Sequence, residues 1–341
     1  MSKYKQTTIK DVAQKAGVSI ATVSRVLNGQ SGVSKELAVQ VKAIVEKMNY
    51  QPNAIARALK NAESRSIGLV IPDIENPFFP ALVRGVEDAA QKKGYAVILC
   101  NTDGEPRQEE KYIKFLLSKQ IDGILLVGNL DFRAHSSWLS LLSIPVVLLD
   151  RRMEGAPYST ILIDNEEGAF LAVEHLIKQG RQQIALIGGK SQSSTTRERM
   201  KGARRALKVY GHSDKEAGYG EGDFTFAGGY RAVQGLLADG CHFDGVFAAN
   251  DMMAIGAMEC LMSHGKKVPG EIAVAGFDDI KLAAWYKPSL TTVRQPVYTM
   301  GQLAVKSIVQ QITGLKVKPK DLVLRPELVV RKSSERKGEV T

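Results

Sequence analysis

From Ser66 onward the chain alternates between short apolar runs and longer amphipathic ones, and this alternation restricts the fold more than any other feature. Strand candidates are 67–71, 96–100, 123–127, 145–149, 160–163, 184–187, 245–248 and 272–275. Helix-like spans separate most of them, at 80–93, 107–119, 166–179, 197–210, 228–238 and 252–264. Strands that are apolar throughout must be covered on both faces, so the pattern predicts parallel sheets wrapped by helices. No unit of ~20–50 residues repeats, which argues against a solenoid. The longest apolar runs, such as Ile144–Leu149, fall far short of the ~18 residues that span a bilayer. The opening MSKYKQTTIK has no apolar core after it, so no secretion signal is read and a soluble, cytoplasmic chain is expected. Cys100, Cys241 and Cys260 are too scattered for a disulfide framework or a zinc site.

The net charge of +10 is concentrated at one end. Residues 1–65 carry eleven Lys/Arg against four Asp/Glu, whereas the long central region is close to neutral. A basic surplus confined to a small segment predicts that this segment meets a polyanion while the rest does something else. A disordered basic tail is excluded by patterning. Thr8-Ile-Lys-Asp11 has the form of a capping box, and Ile9, Val12, Ala13 and Ala16 follow helical spacing. Gly17 can end that helix, Ser19 can cap a second running to about Asn28, and a third starts at Ser34. Two short helices joined by a Gly-containing turn and supported by a third make a helix-turn-helix unit.

The second helix presents a coherent set of side chains that its core does not use. Arg25 can span O6 and N7 of guanine, and Ile20 and Ala21 can meet thymine methyls. Ser19, Thr22, Ser24 and Asn28 suit phosphate oxygens. Thr8, Ser34 and Tyr50 join the DNA-facing set.

In the large region, polar residues follow the strands: Pro72-Asp73, Asn101, Gly128, Asp150-Arg151, Asp164-Asn165, Gly188-Gly189, Asn250-Asp251 and Asp278-Asp279. Singly these are ordinary turn and cap residues. Together they mark a polar cleft, because ligands of open α/β sheets bind beyond the carboxyl ends of the strands. Enzyme signatures fail. Gly-Lys-Ser at 189–191 would need a glycine at position 184 to complete a phosphate loop, and Ile184 stands there. Gly218-Tyr-Gly-Glu-Gly222 is not a dinucleotide fingerprint, and neither HExxH nor GxSxG occurs. No catalytic residue, cofactor or metal site is expected.

The stretch TIKDVAQKAGVSIATVSRVLN, followed by VSKELAVQVKAIVEKMNYQPNAIARALK, resembles the DNA-binding head and hinge of the LacI/GalR repressor family. IGLVIPDIENPFFPALVRGVEDAAQKKGY, LLDRR, TTRERMKG, GDFTFAGGYRA, VFAANDMMAIGAM, VAGFDD and LTTVRQP resemble that family's sensor domain. The resemblance implies a small helical head and a type I periplasmic-binding-protein-like sensor of two doubly wound α/β subdomains. It divides the chain into a head at 1–52, a hinge at 53–64, a sensing and dimerisation domain at 65–332 and a tail at 333–341. Crossings between the subdomains are expected near Asp164–Asn165, Arg294–Gln295 and Leu324–Pro326. It gives base reading to Ile20, Ala21 and Arg25, adds Asn53, Ala56 and Leu59 to the DNA-facing set through the hinge, and makes Leu59 a minor-groove wedge at a central CpG step. Asn76, Phe78, Phe79, Asp150, Arg151, Arg199, Phe224, Asn250, Asp278 and Gln295 match positions that hold the sugar in ribose-binding proteins. The implied partners are an operator in double-stranded DNA, a second copy of the chain, and a ribose-like effector, with another sugar or a purine corepressor as the alternative.

Overall fold

In the computed structural model, residues 7–27, 29–50, 63–127, 142–151, 153, 156–212, 218–315 and 318–335 are described. The hinge residues Asn53, Ala56 and Leu59, together with Asn28, lie outside them. The chain divides between Ser64 and Arg65 into two compact units.

The first unit contains α1 (Ile9–Ala16), α2 (Ile20–Leu27) and α3 (Lys35–Lys47). Its boundaries follow local chemistry. Thr8 and Asp11 form the expected capping box, and Gly17 ends α1 in the left-handed region at φ +68°. Ser19 Oγ accepts from Thr22 N at 3.1 Å and Ser34 Oγ from Leu37 N at 3.3 Å, which opens α2 and α3. Val12, Ala13, Ala16, Val23, Val26, Val41 and Tyr50 form the core.

The second unit runs β1 (Ser66–Ile71), α4 (Phe78–Lys92), β2 (Ala96–Asn101), α5 (Pro106–Ser118), β3 (Gly123–Leu126), β4 (Val146–Leu149) and β5 (Ser159–Ile163). It continues with α6 (Asn165–Lys178), β6 (Ile184–Gly188), α7 (Ser194–Val209), β7 (Tyr219–Glu221), α8 (Phe226–Ala238), β8 (Gly245–Ala248) and α9 (Asp251–Ser263). The last elements are β9 (Ala273–Asp278), α10 (Lys281–Trp285), β10 (Thr291–Arg294), α11 (Val297–Ile312), β11 (Asp321–Leu324) and β12 (Glu327–Val329).

Two six-stranded sheets result, ordered β11-β5-β4-β3-β1-β2 and β12-β10-β9-β8-β6-β7. The orders correspond strand for strand, so the two subdomains share one doubly wound plan. Strand pairs are parallel except β10 with β12. The chain crosses between sheets three times, after β5, after β10 and between β11 and β12. Consequently α11, which follows the second crossing, covers the first sheet. Met300, Ala304, Val305 and Ile308 pack there with Leu82 and Val86 of α4. The backbones come close enough that a Cβ on Gly85 would lie 2.3 Å from the carbonyl oxygen of Tyr298.

Strands β7, β10, β11 and β12 and helix α10 go beyond the sequence expectation. Ser333 and Ser334, placed in the tail by the sequence reading, are fully buried. Ser333 Oγ accepts from Thr291 N at 2.8 Å and donates to Val274 O at 2.6 Å, stitching this segment to β9 and β10. Among the described residues no helix is long and apolar enough to cross a membrane, and no cluster of His, Cys, Asp and Glu could hold a metal ion.

Candidate functional site

A cavity of about 580 Å³ opens between the two sheets at the carboxyl ends of their strands. One wall comes from loops after β1, β2 and β4 and the start of α4, with Asp73, Asn76, Phe78, Phe79, Asp103, Asp150 and Arg151. The other comes from loops after β6, β7 and β8, the first turns of α7 and the end of β9, with Lys190, Ser193, Thr195, Arg199, Phe224, Asn250 and Asp278. Nine of the ten expected sugar-binding residues therefore meet in one space, from both sides of the first crossing.

The tenth, Gln295, stands behind the wall. Its Nε2 donates to Asp278 Oδ1 at 2.7 Å, so it supports a cleft residue and does not line the cleft. Arg199 and Asp278 form a buried pair at 3.4 Å, and Arg199 Nη1 also donates to Ala249 O at 2.6 Å. Across the cleft Arg151 Nε lies 3.7 Å from Asp150 Oδ2. Burial pushes the Asp278 carboxyl up to about 7, with Asp150 reinforcing the shift and Arg199 opposing it. Burial lowers the Arg151 guanidinium, against the pull of Asp150.

Several side chains hold the backbone and line the cleft together. Asn76 Oδ1 accepts from Phe78 N at 3.1 Å, and Asn250 Oδ1 caps α9 by accepting from Met253 N at 2.9 Å. Asn250 Nδ2 donates to Phe224 O at 2.9 Å, which leaves each amide only part of its hydrogen-bonding capacity. Phe78 and Phe79 meet edge to face at 5.1 Å and are largely buried in the core of the first subdomain, so they are wall and core at once. Phe224, held at φ +67°, packs its ring against Gly189, where a Cβ would lie 2.3 Å away.

Ser193 and Thr195 escaped the sequence reading. Their hydroxyls are buried without a hydrogen-bond partner, as is Asp150 Oδ1. The available signals were the place of Ser193 just after the Gly-Lys-Ser run, considered solely as a failed phosphate loop, and that of Thr195 at the head of the TTRERMKG stretch.

In the first unit, Ser19 is exposed just before α2, Ile20, Ala21 and Arg25 are exposed on it, Thr22 and Ser24 are half-buried, and Val23 and Val26 face the core. Thr8 and Ser34 are exposed helix caps, whereas Tyr50 is buried in the core of this unit. Lys10, Lys15, Lys35, Lys42 and Lys47 are also exposed.

The family model for bacterial regulatory proteins of the lacI family matches residues 8–53, and that for a periplasmic binding protein-like domain matches 173–334. The chain is 39% identical over 331 residues to a ribose operon repressor of Halalkalibacterium halodurans, covering 96% of this chain and 97% of that protein. It is 34% identical over 328 residues to the transcriptional repressor PurR of Aliivibrio salmonicida, covering 96% and 98%. Among solved structures, the lac repressor dimer bound to operator and the anti-inducer ONPF has 31% identity and a TM-score of 0.89, covering 97% of this chain and 100% of that one. A LacI family regulator from Enterococcus faecium with bound ribose has 30% identity and a TM-score of 0.73, covering 80% and 100%. A helix-turn-helix unit followed by a two-subdomain periplasmic-binding fold defines a DNA-binding repressor. The chain belongs to the LacI family of bacterial regulatory proteins.

Proposed function

We propose that this repressor binds a palindromic operator as a homodimer and is released from it by ribose or a closely related pentose. The observation that carries the effector reading is the set of buried oxygens without partners on cleft residues: Asp150 Oδ1, Ser193 Oγ and Thr195 Oγ1. Each unpaired buried polar atom costs about 1–3 kcal/mol, a cost that a ligand rich in hydroxyls removes. The cleft volume lies within the usual range for small-molecule sites. Asp150 and Asp278 accept from sugar hydroxyls, Arg151 and Arg199 donate, and Asn76 and Asn250 do both. Phe78, Phe79 and Phe224 supply apolar surface for the ring faces. Gln295 acts through Asp278.

On the DNA side, Arg25 reads a guanine while Ile20 and Ala21 meet thymine methyls. Ser19, Thr22, Ser24 and Asn28 contact phosphates. Leu59 wedges open the minor groove at a CpG step. A sugar that bridges both walls favours the closed cleft, and closure rotates the first subdomains, disturbs the hinge and releases DNA. The likeness to a ribose-bound regulator and to ribose operon repressors supports this effector. The PurR relatives support a purine corepressor as the second reading. Titration calorimetry over pentoses, hexoses, phosphorylated sugars and purines separates the two. Heat with ribose and weakened operator binding is the expected result; heat with a purine alone overturns it.

A further inference from the structure

Two of the three crossings place an amide side chain directly behind the cleft's buried ion pair. Asn165 is the first residue of α6, immediately after the first crossing, and is only 1% exposed. Its Oδ1 accepts from Arg199 Nε at 2.8 Å, and its Nδ2 donates to Glu198 Oε2 at 2.9 Å. A guanidinium can only donate and a carboxylate only accept, so the two neighbours fix which way the amide faces. The preceding residue, Asp164, donates its backbone N–H to Leu324 O at 2.9 Å, which links the first crossing to the third. Gln295, just past the second crossing, holds Asp278 in the corresponding manner at 2.7 Å. Arg199 and Asp278 thus face the cleft in front and are held from behind at two different crossings.

We propose that Asn165 is a positioning residue that couples sugar occupancy at Arg199 to the angle between the two subdomains; this rests on the effector reading above. Rotation of one subdomain against the other changes backbone torsions at the few residues that cross between them. A torsional change at 164–165 moves the acceptor that orients the Arg199 guanidinium. A ligand that needs Arg199 in one orientation therefore biases the crossing, and the crossing biases the ligand to the same degree. Asn165 does not line the cleft, and of its two side-chain partners, Arg199 and Glu198, only Arg199 does, so its effect on the site passes through Arg199.

A residue that merely builds the site changes how much sugar is needed. A coupling residue changes how far DNA is released once the site is full. The test measures operator binding of the full-length chain by fluorescence anisotropy, without ribose and at saturating ribose, with ribose affinity from calorimetry. For Asn165→Ala, ribose-free operator affinity should stay within about twofold of wild type while release at saturation falls at least about threefold. Asn165→Asp combined with Glu198→Gln restores an acceptor for Arg199 and a donor between positions 165 and 198, and should restore release. Should Asn165→Ala fail to fold, Asn165→Ser, polar but too short to reach Arg199 Nε, is read in the same way. Full release at saturation from an alanine or serine variant overturns the inference, even if more ribose is needed. A wild-type protein that ignores ribose overturns the effector reading and this inference with it, an outcome recognisable from the wild type alone.

Discussion

Asp150 and Asp278 close the same strand position in the two sheets, after β4 and at the end of β9, and both hold positive φ, +63° and +123°. Phe224 adds a third cleft residue at φ +67°. Such backbone costs on the order of 1–3 kcal/mol per residue and persists where its surroundings enforce it, most often at ligand sites. The two carboxylates come from different subdomains, so a ligand held by both bridges the cleft.

Truncating one of them should uncouple sensing from DNA binding. Asp278→Ala removes the acceptor that Arg199 and Gln295 share and should weaken ribose binding by about 1–3 kcal/mol. Operator binding without sugar should hardly change, giving a repressor that no longer responds. Calorimetry with ribose and an operator titration check both halves, and unchanged ribose affinity would remove Asp278 from the site.

The raised Asp278 carboxyl makes both stability and binding depend on pH. Its folded value of about 7 lies above the ordinary carboxylate range, so between the two the folded state holds a proton that the unfolded state has lost. The contribution is fully present below about pH 4 and disappears as pH rises through about 7. Thermal stability attributable to this residue should therefore fall between those limits, and Asp278→Asn should flatten the profile. Ribose binding should strengthen from pH 6 to 8 by up to about tenfold, because the ionised carboxylate accepts the stronger hydrogen bonds. An equally steep profile in Asp278→Asn would assign the titration elsewhere.

Arg25, exposed on α2, should read one base pair. Arg25→Ala is expected to cost about 1–3 kcal/mol on the specific site and to relax preference at one position. Binding-site selection with the variant is the check, and an unaltered preference would rule out base reading by this side chain.

If Leu59 wedges the minor groove, Leu59→Ala should weaken operator binding more than nonspecific binding. Replacing the central CpG with a stiffer step should weaken the wild type comparably, and the two changes together should fall short of their sum. Full additivity would mean that Leu59 packs against protein.

Gly202 of α7 lies against the backbone of α6, where an added Cβ would sit 1.9 Å from Glu166 O. Gly202→Ala must push the helices apart at a point close to Asn165, and overpacking of this kind costs typically about 1–3 kcal/mol. Chemical denaturation should show that loss of stability, whereas Gly235→Ala, with open space around it, should not.

Local chemistry wrote much of this molecule into its sequence. The capping box at Thr8–Asp11, the left-handed Gly17 and the apolar runs of β1, β3 and β4 are short-range features, legible because each is satisfied by neighbours along the chain or by burial on both faces. Strand β10 shows where that reading stops. Thr291 and Thr292 are fully buried, and a buried hydroxyl is tolerated only with a partner. Thr292 Oγ1 donates to Asp251 Oδ1, and Thr291 Oγ1 donates to Arg331 O at 2.8 Å, partners some forty residues away that no local pattern announces. The cleft follows the same rule. Each of its residues looks like a turn or a cap where it stands; only the crossings of the chain between two sheets of equal topology bring Asp150 and Asp278 to opposite walls. The same crossings set Gln295 behind Asp278 and Asn165 behind Arg199, because hydrogen-bond partners in a buried site are chosen by proximity in space and not by spacing along the chain.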